Sequence, residues 1–304
     1  MQSALGIDAG TTGTRWKLVD RSGAEIGRGE AEPLSGLIIE AGNQHVALDA
    51  AARLCQAVIR HGRPALAVAG VTGLSTGSPA ADLLQSALAA GLDVPSAAIR
   101  VVDDMHICYR GAFAPGEGIV VYAGTGSIAY HLSSDLRVMR AGGHGYLIDD
   151  AGGGFWIGRE ALKHLLRARD AGGDRSHSIL ASEIAARIGG DSWAETRAFI
   201  YGGGRAAVAS LVPAIAGAAD AGDGAALAIL ESAGRELARL ASVLIDRLGE
   251  RPIALTGGVA RAGPILHRSF RAELPSHLDI RHHTLPPVDA AAGLALELMC
   301  EPER

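Results

Sequence analysis

One short run of small residues occurs twice in this chain. Asp8-Ala9-Gly10-Thr11-Thr12-Gly13-Thr14 closes the apolar run Leu5 to Asp8, and Ala123-Gly124-Thr125-Gly126-Ser127 closes the apolar run Gly118 to Tyr122. Gly10 and Gly124 stand 114 residues apart. Each run leads into a second strand-like segment, a polar turn and a third segment. In the first copy these are Trp16 to Asp20, Arg21-Ser22-Gly23 and Ala24 to Glu30; in the second they are Ile128 to Leu132, Ser133-Ser134-Asp135 and Leu136 to Arg140. Alternating apolar segments separated by turn residues predict two three-strand meanders. A repeat at this spacing works at domain scale, so it predicts two related halves.

The remaining segments predict an α/β protein. Helical spacing covers Val46 to His61, a buried strand Ala65 to Val71, a helix with proline in its first turn Pro79 to Ala90, and a strand Ile99 to Val102. The second half is richer in helix: Phe155 to Arg169, Ile179 to Ile188, Ser192 to Ile200 and Arg205 to Ala219. After Asp223, a plausible N-cap, Leu230, Leu237, Leu240, Leu244 and Leu248 fall on one helical face. Strand Pro252 to Leu255, turn Thr256-Gly257-Gly258-Val259, helix Ala260 to Leu274, strand Ile280 to Leu285 and helix Ala290 to Met299 complete the pattern. A chain of 304 residues holds two domains of ordinary size, roughly 100–200 residues each.

Composition removes several function classes. A formal net charge of −5 leaves no basic footprint for nucleic acid or an anionic membrane surface. Cys55, Cys108 and Cys300 lie far apart, without zinc-ligand or disulfide-framework spacing, which fits a reducing compartment. The N-terminus carries no signal-peptide pattern. The weakly polar stretch Ala206 to Ala219 falls short of the ~20 residues of a membrane span. The expected location is cytoplasmic.

Converging backbone N–H groups bind phosphate, glycine permits the close approach, and threonine or serine adds hydroxyl donors. Both repeated turns have this chemistry, although glycine turns also simply close hairpins. Neither Lys17 nor Lys163 follows a glycine, so no P-loop is present. Thr256-Gly257-Gly258 would let backbone lie flat against a planar ligand, or form a tight strand-to-helix connection. Phosphoryl transfer also needs carboxylates, to orient Mg²⁺ and to take the proton of an alcohol acceptor. Asp8 and the pair Asp103-Asp104 end predicted strands, and Asp149-Asp150 precedes Gly152-Gly153-Gly154. Such pairs also serve as solvated loops or helix caps.

Together, the 8–14, 123–127, 143–154 and 256–259 segments resemble the phosphate-1, phosphate-2 and adenosine elements of the sugar kinase/Hsp70/actin superfamily. Within it they are most similar to the N-acetylglucosamine kinase and BadF/BadG/BcrA/BcrD ATPase family. The resemblance runs nearly the length of the chain in order. It implies two ribonuclease-H-like (actin-like ATPase) α/β domains with a nucleotide cleft between them: 1–115, joined by a C-terminal helix 288–300, and 116–287. It further implies Mg-ATP as the bound nucleotide, with Gly10, Thr11, Thr12, Thr14, Gly124, Thr125, Gly126 and Ser127 around the phosphates. Gly257 and Gly258 would flank adenosine and Asp8 would hold Mg²⁺ through water. Asp104 would be the base that accepts the sugar's proton, with Asn43 and Asp150 as further substrate contacts. Ala151 departs from the family's Gly-Asp-Glu/Gln-Gly-Ser stretch, and Arg15-Trp16 replaces smaller residues.

The expectation is therefore an ATP-dependent kinase of an amino sugar, N-acetylglucosamine or glucosamine. Its partners are a small-molecule sugar, neither nucleic acid nor membrane, with a homodimer as the default assembly. Three competing assignments remain. A BadF/BadG-type ATPase component would energise another enzyme, but the related activators hold an iron–sulfur cluster, and no cysteine here sits in a suitable turn. A serine hydrolase would use Gly73-Leu74-Ser75-Thr76-Gly77 with Asp279 and His282 or His283. A nucleotide-dependent regulator gains from Ala151 and loses from an intact Asp104.

Overall fold

The computed structural model describes residues 2–40, 42–172, 178–282 and 284–300. The chain forms two compact units, Met1–Ala114 with Thr284–Arg304, and Pro115–His283.

In the first unit, β1 (Ser3–Ala9), β2 (Thr14–Asp20) and β3 (Glu25–Ala31) form the expected antiparallel meander. β4 (Leu66–Val71) and β5 (Ile99–Asp103) add in parallel, giving the order β3-β2-β1-β4-β5. β1 lies at the centre and is buried along its length apart from the partly exposed Asp8. That is why its sequence is apolar throughout rather than alternating, as in any strand covered on both faces. Its two faces meet different partners. Leu5 and Ile7 join the core of α2 (Gln44–Ile59) and α3 (Pro79–Leu92), whereas Ala4 packs with Ile107 and Ala291. Ile107 lies on α4 (Asp104–Arg110) and Ala291 on α11 (Pro287–Cys300), the last helix among the described residues. Gly6 faces α11 so closely that a Cβ there would stand 2.2 Å from the Ala292 nitrogen.

The second unit repeats the plan. β6 (Ile119–Ala123), β7 (Ser127–Leu132) and β8 (Val138–Gly142) form a meander; β9 (Ile253–Thr256) and β10 (Ile280–Arg281) extend it in parallel. Its order, β8-β7-β6-β9-β10, is that of the first sheet strand for strand. Its core is built on α9 (Gly224–Leu248), whose Leu230, Leu237, Leu240 and Leu244 are buried. Around α9 stand α5 (Gly154–Asp170), α6 (Ile179–Ile188), α7 (Trp193–Ala209), α8 (Val212–Asp220) and α10 (Pro264–Ala272). The Asp223 carboxylate caps α9 through the Ala225 and Ala226 N–H groups.

Five segments depart from the sequence pattern. The helix expected over Arg205 to Ala219 is cut at Ser210-Leu211, with proline in the first turn of α8, and its first part continues α7 beyond a break at Gly204 (φ 58°, ψ −147°). Gly263 at φ 106° delays α10 to Pro264, so 259–261 is only a 3-10 turn. The last strand shrinks from Ile280–Leu285 to Ile280–Arg281, His283 lying outside the described residues. Two short helices, α1 (Gly36–Glu40) and α4, are too brief for periodicity to reveal. Among the described residues no single helix is long and apolar enough to cross a membrane.

Candidate functional site

In the first unit, β1, β4 and β5 run parallel and bring Asp8, Thr72 and Asp104 to their carboxyl ends, where open α/β sheets bind ligands. The two adjacent aspartates have different work. Asp103 is the N-cap of α4, its carboxylate accepting from the His106 N–H at 2.7 Å. Asp104 opens the helix, and its Oδ2 accepts a 2.7 Å hydrogen bond from the Thr72 hydroxyl. Glycine at position 70 allows this approach, since a Cβ there would lie 2.5 Å from Ile107 Cγ1 and 3.7 Å from Asp104 Cα. Burial pushes the Asp8 carboxyl above its usual range; Arg15 opposes the shift and Asp104 adds to it. Two neighbouring carboxylates, one of them paying for desolvation, form a hard-oxygen donor set that suits Mg²⁺ held through one carboxylate and water.

The turn after β1 is closed by Gly10 N–H donating to Gly13 O at 3.0 Å, with Thr11 and Thr12 exposed at its tip. Thr14 points elsewhere: it is buried, and its hydroxyl donates to the Glu32 carbonyl. Asn43 is exposed at the start of α2 and makes no capping hydrogen bond with its side chain. Beneath the acidic pair, burial, reinforced by Asp104 and Asp8, drives the Cys108 thiol up to about 12. Burial likewise raises Cys55 to about 11. Both are buried, protonated thiols, unlike cluster or metal ligands.

In the second unit the turn after β6 is held from below by the start of α5. Gly154 N–H donates to Gly124 O at 2.8 Å and Phe155 N–H to Thr125 O at 2.9 Å. The 143–154 loop packs on the same turn. Ser127 Oγ donates to Ala151 O at 2.8 Å, and the Gly145 N–H donates to Asp150 Oδ1 at 3.1 Å. Asp150, 6 % exposed, sits at φ 57°, with Oδ2 2.3 Å from where a Gly126 Cβ would be. Burial raises its pKa against the Gly145 hydrogen bond; Asp149 also raises it, while Arg205 and His144 lower it.

Beside this turn lies a cavity of about 520 Å³, a volume suited to a small-molecule ligand. Gly124, Thr125 and Gly258 line one side, and Ala209, Val212 and Pro213 the other. Gly257, at φ 98°, brings the turn after β9 against β6: a Cβ there would stand 2.4 Å from Ala123 O. The structure thus gathers Gly124, Thr125 and Gly258 from distant sequence. The α7–α8 wall, Tyr122 and Arg261 also line the cavity and escaped sequence reasoning; the only signal for the wall was its run of small apolar residues.

Ser75 belongs to no strand-to-helix elbow: α3 begins only at Pro79, capped by Ser78. Asp279 is paired with Arg281 at 3.0 Å, and His283 lies outside the described residues. The hydrolase arrangement has no support here.

The sequence profile of the BadF/BadG/BcrA/BcrD ATPase family matches residues 5–297. The N-acetylmuramic acid/N-acetylglucosamine kinase of Clostridium acetobutylicum is 34 % identical over 179 residues, 57 % of this chain and 58 % of that protein. The N-acetyl-D-glucosamine kinase of Dictyostelium discoideum is 30 % identical over 195 residues, 59 % of each. The match therefore spans under two thirds of the length of these curated relatives. A solved structure of a candidate N-acetylglucosamine kinase from Chromobacterium violaceum superposes with a TM-score of 0.71 at 26 % identity, covering 97 % of this chain and 99 % of that one.

Proposed function

The chain belongs to the BadF/BadG/BcrA/BcrD ATPase family, and from that premise we propose that it is a cytoplasmic, ATP-dependent amino-sugar kinase. It transfers the γ-phosphate of Mg-ATP to a hydroxyl of N-acetylglucosamine or glucosamine. The observation that carries this proposal is the Thr72–Asp104 pair. The Thr72 hydroxyl fixes Oδ2 of a carboxylate at the carboxyl end of the sheet, which leaves Oδ1 for an incoming hydroxyl. The names of the two curated relatives, both sugar kinases, support the choice of acceptor.

In this proposal Asp104 accepts the proton of the sugar hydroxyl as its oxygen bonds to the γ-phosphorus and the bond to the β-phosphate breaks, releasing ADP. Backbone N–H groups of 10–12 and 124–126, with the exposed Thr11 and Thr12 hydroxyls and that of Thr125, stabilise the negative charge of the phosphates. Thr14 and Ser127, whose hydroxyls are spent on carbonyls, act through their backbone and by fixing the turns. Asp8 would hold Mg²⁺ through water, and the ion would supply charge neutralisation on the phosphoryl oxygens. Gly258, which lines the cavity, and Gly257 before it flank adenosine. Asn43 and Asp150 complete the substrate side, Asp150 from the loop packed on Gly126.

The test is an ADP-coupled assay with Mg²⁺ across glucosamine, N-acetylglucosamine, N-acetylmuramic acid, glucose and no sugar. Sugar-dependent turnover is expected, with Asp104→Asn lowering kcat by ~10²–10⁴-fold, the usual contribution of a general base, and ATP affinity unchanged. Turnover that ignores sugar would instead favour an ATPase component serving another enzyme. Full activity in Asp104→Asn would remove that residue from the role.

A further inference from the structure

Helix α7 contains Gly202-Gly203-Gly204, and Gly204 holds a conformation (φ 58°, ψ −147°) that is close to a region open essentially to glycine alone. The residue immediately after this break is Arg205. It is exposed, and among the described residues its guanidinium makes no ion pair. Instead it rests 5.4 Å from the centroid of the Tyr146 ring, which itself packs edge-on against Phe155 at 5.0 Å. Tyr146 belongs to the loop whose Asp150 lies against Gly126, and the Arg205 charge acts on that same carboxylate. Immediately after Arg205, Ala206 lines the 520 Å³ cavity together with Gly124 and Thr125.

Charge makes this placement informative. A nucleoside triphosphate brings about four negative charges, and phosphate is best held by charge-assisted hydrogen bonds from a planar guanidinium. Both lysines are already committed, Lys17 to Asp289 and Lys163 to Glu160, each at 2.7 Å. Arg239 is engaged by Glu236 and Asp149. Arg261 lines the cavity beside Gly258 and Val259, the turn assigned to adenosine. Among the described residues Arg205 is a cation on the phosphate-turn side without an ion-pair partner, and its cation–π contact with the half-buried Tyr146 ring is weak enough to be given up.

We propose that Arg205 is a ligand for the polyphosphate tail of the nucleotide, leaving the Tyr146 ring to engage it and using the break at Gly204 as its hinge. This rests on the nucleotide-binding reading above. The experiment is calorimetry on the full chain with Mg²⁺, titrating ATP and adenosine into wild type, Arg205→Ala and Arg205→Lys. Arg205→Ala is expected to weaken ATP by about ten- to hundredfold, the worth of a charged hydrogen bond, while adenosine binds within about twofold of wild type. Arg205→Lys should recover part of the ATP affinity. Wild-type ATP affinity in Arg205→Ala overturns the proposal, as does an equal loss of ATP and adenosine, which would mean a reshaped cavity. Wild type that binds neither ligand would overturn the nucleotide reading itself, a result distinct from either of these.

Discussion

Asp8 shows a cost that the fold tolerates. Burial, with Asp104 adding its charge, holds its folded-state pKa above the ordinary 3.8. Between 3.8 and that raised value the folded chain binds a proton that the unfolded chain releases, so the contribution of this group to stability is present at low pH and lost as pH rises. At neutral pH the ionised carboxylate is a liability that an amide of the same shape removes. Asp8→Asn should therefore raise Tm at pH 7, with the gain shrinking as the pH falls toward about 4, while sugar phosphorylation is lost. A lower Tm at pH 7 would contradict this account. The sequence displays each acidic residue but not its task. Asp103-Asp104 reads as two equivalent carboxylates until α4 begins between them, making one a cap and the other the first helical residue. Likewise Thr14 and Ser127 look like hydroxyl donors for phosphate, yet both hydroxyls donate to carbonyls, pairings fixed by tertiary approach that no local pattern encodes.

Among the elements, the start of α9 is tied to a neighbour. Asp223 Oδ1 accepts from Ala225 and Ala226, and its Oδ2 accepts from the Leu180 N–H at 3.0 Å, in the first turn of α6. One carboxylate thus caps two helices. Burial works to raise its pKa, but these N–H groups outweigh it and the net shift is downward. The stability it provides is present above the ordinary 3.8 and lost on acidification. Each cap is worth about 1 kcal/mol, so Asp223→Ala should cost about 2 kcal/mol in chemical denaturation at pH 7, and Asp223→Asn about half. A loss confined to a few tenths would show that α6 does not depend on it. The cap was legible in the sequence because it is local. The cut between α7 and α8 was not, because small apolar residues on both sides continue a helical pattern through Ser210-Leu211.

For the whole molecule, the repeat visible as two Gly-Thr turns extends to two sheets of identical strand order. The meanders were legible because period-two patterning and turns are local signals; the shared order was not, since parallel pairing joins strands far apart in sequence. The first unit differs in one respect: its covering helix α11 comes from the other end of the chain. Gly6 is where that helix touches β1, and a side chain there would meet the α11 backbone, the Ala292 nitrogen at 2.2 Å and the Val288 carbonyl at 2.7 Å. Gly6→Ala should destabilise by about 3 kcal/mol, the upper end of overpacking costs, read as a fall in Tm. An unchanged Tm would mean that α11 shifts freely. The arrangement also sets an order of events during synthesis. Residues 1–114 leave the ribosome first, but the β1 face that packs with Ile107 of α4 is covered in full only when Pro287–Cys300 follows. The half translated first is completed last, so a nascent chain carries a central strand with one face incompletely covered until α11 is made, and that is the interval in which a chaperone would matter.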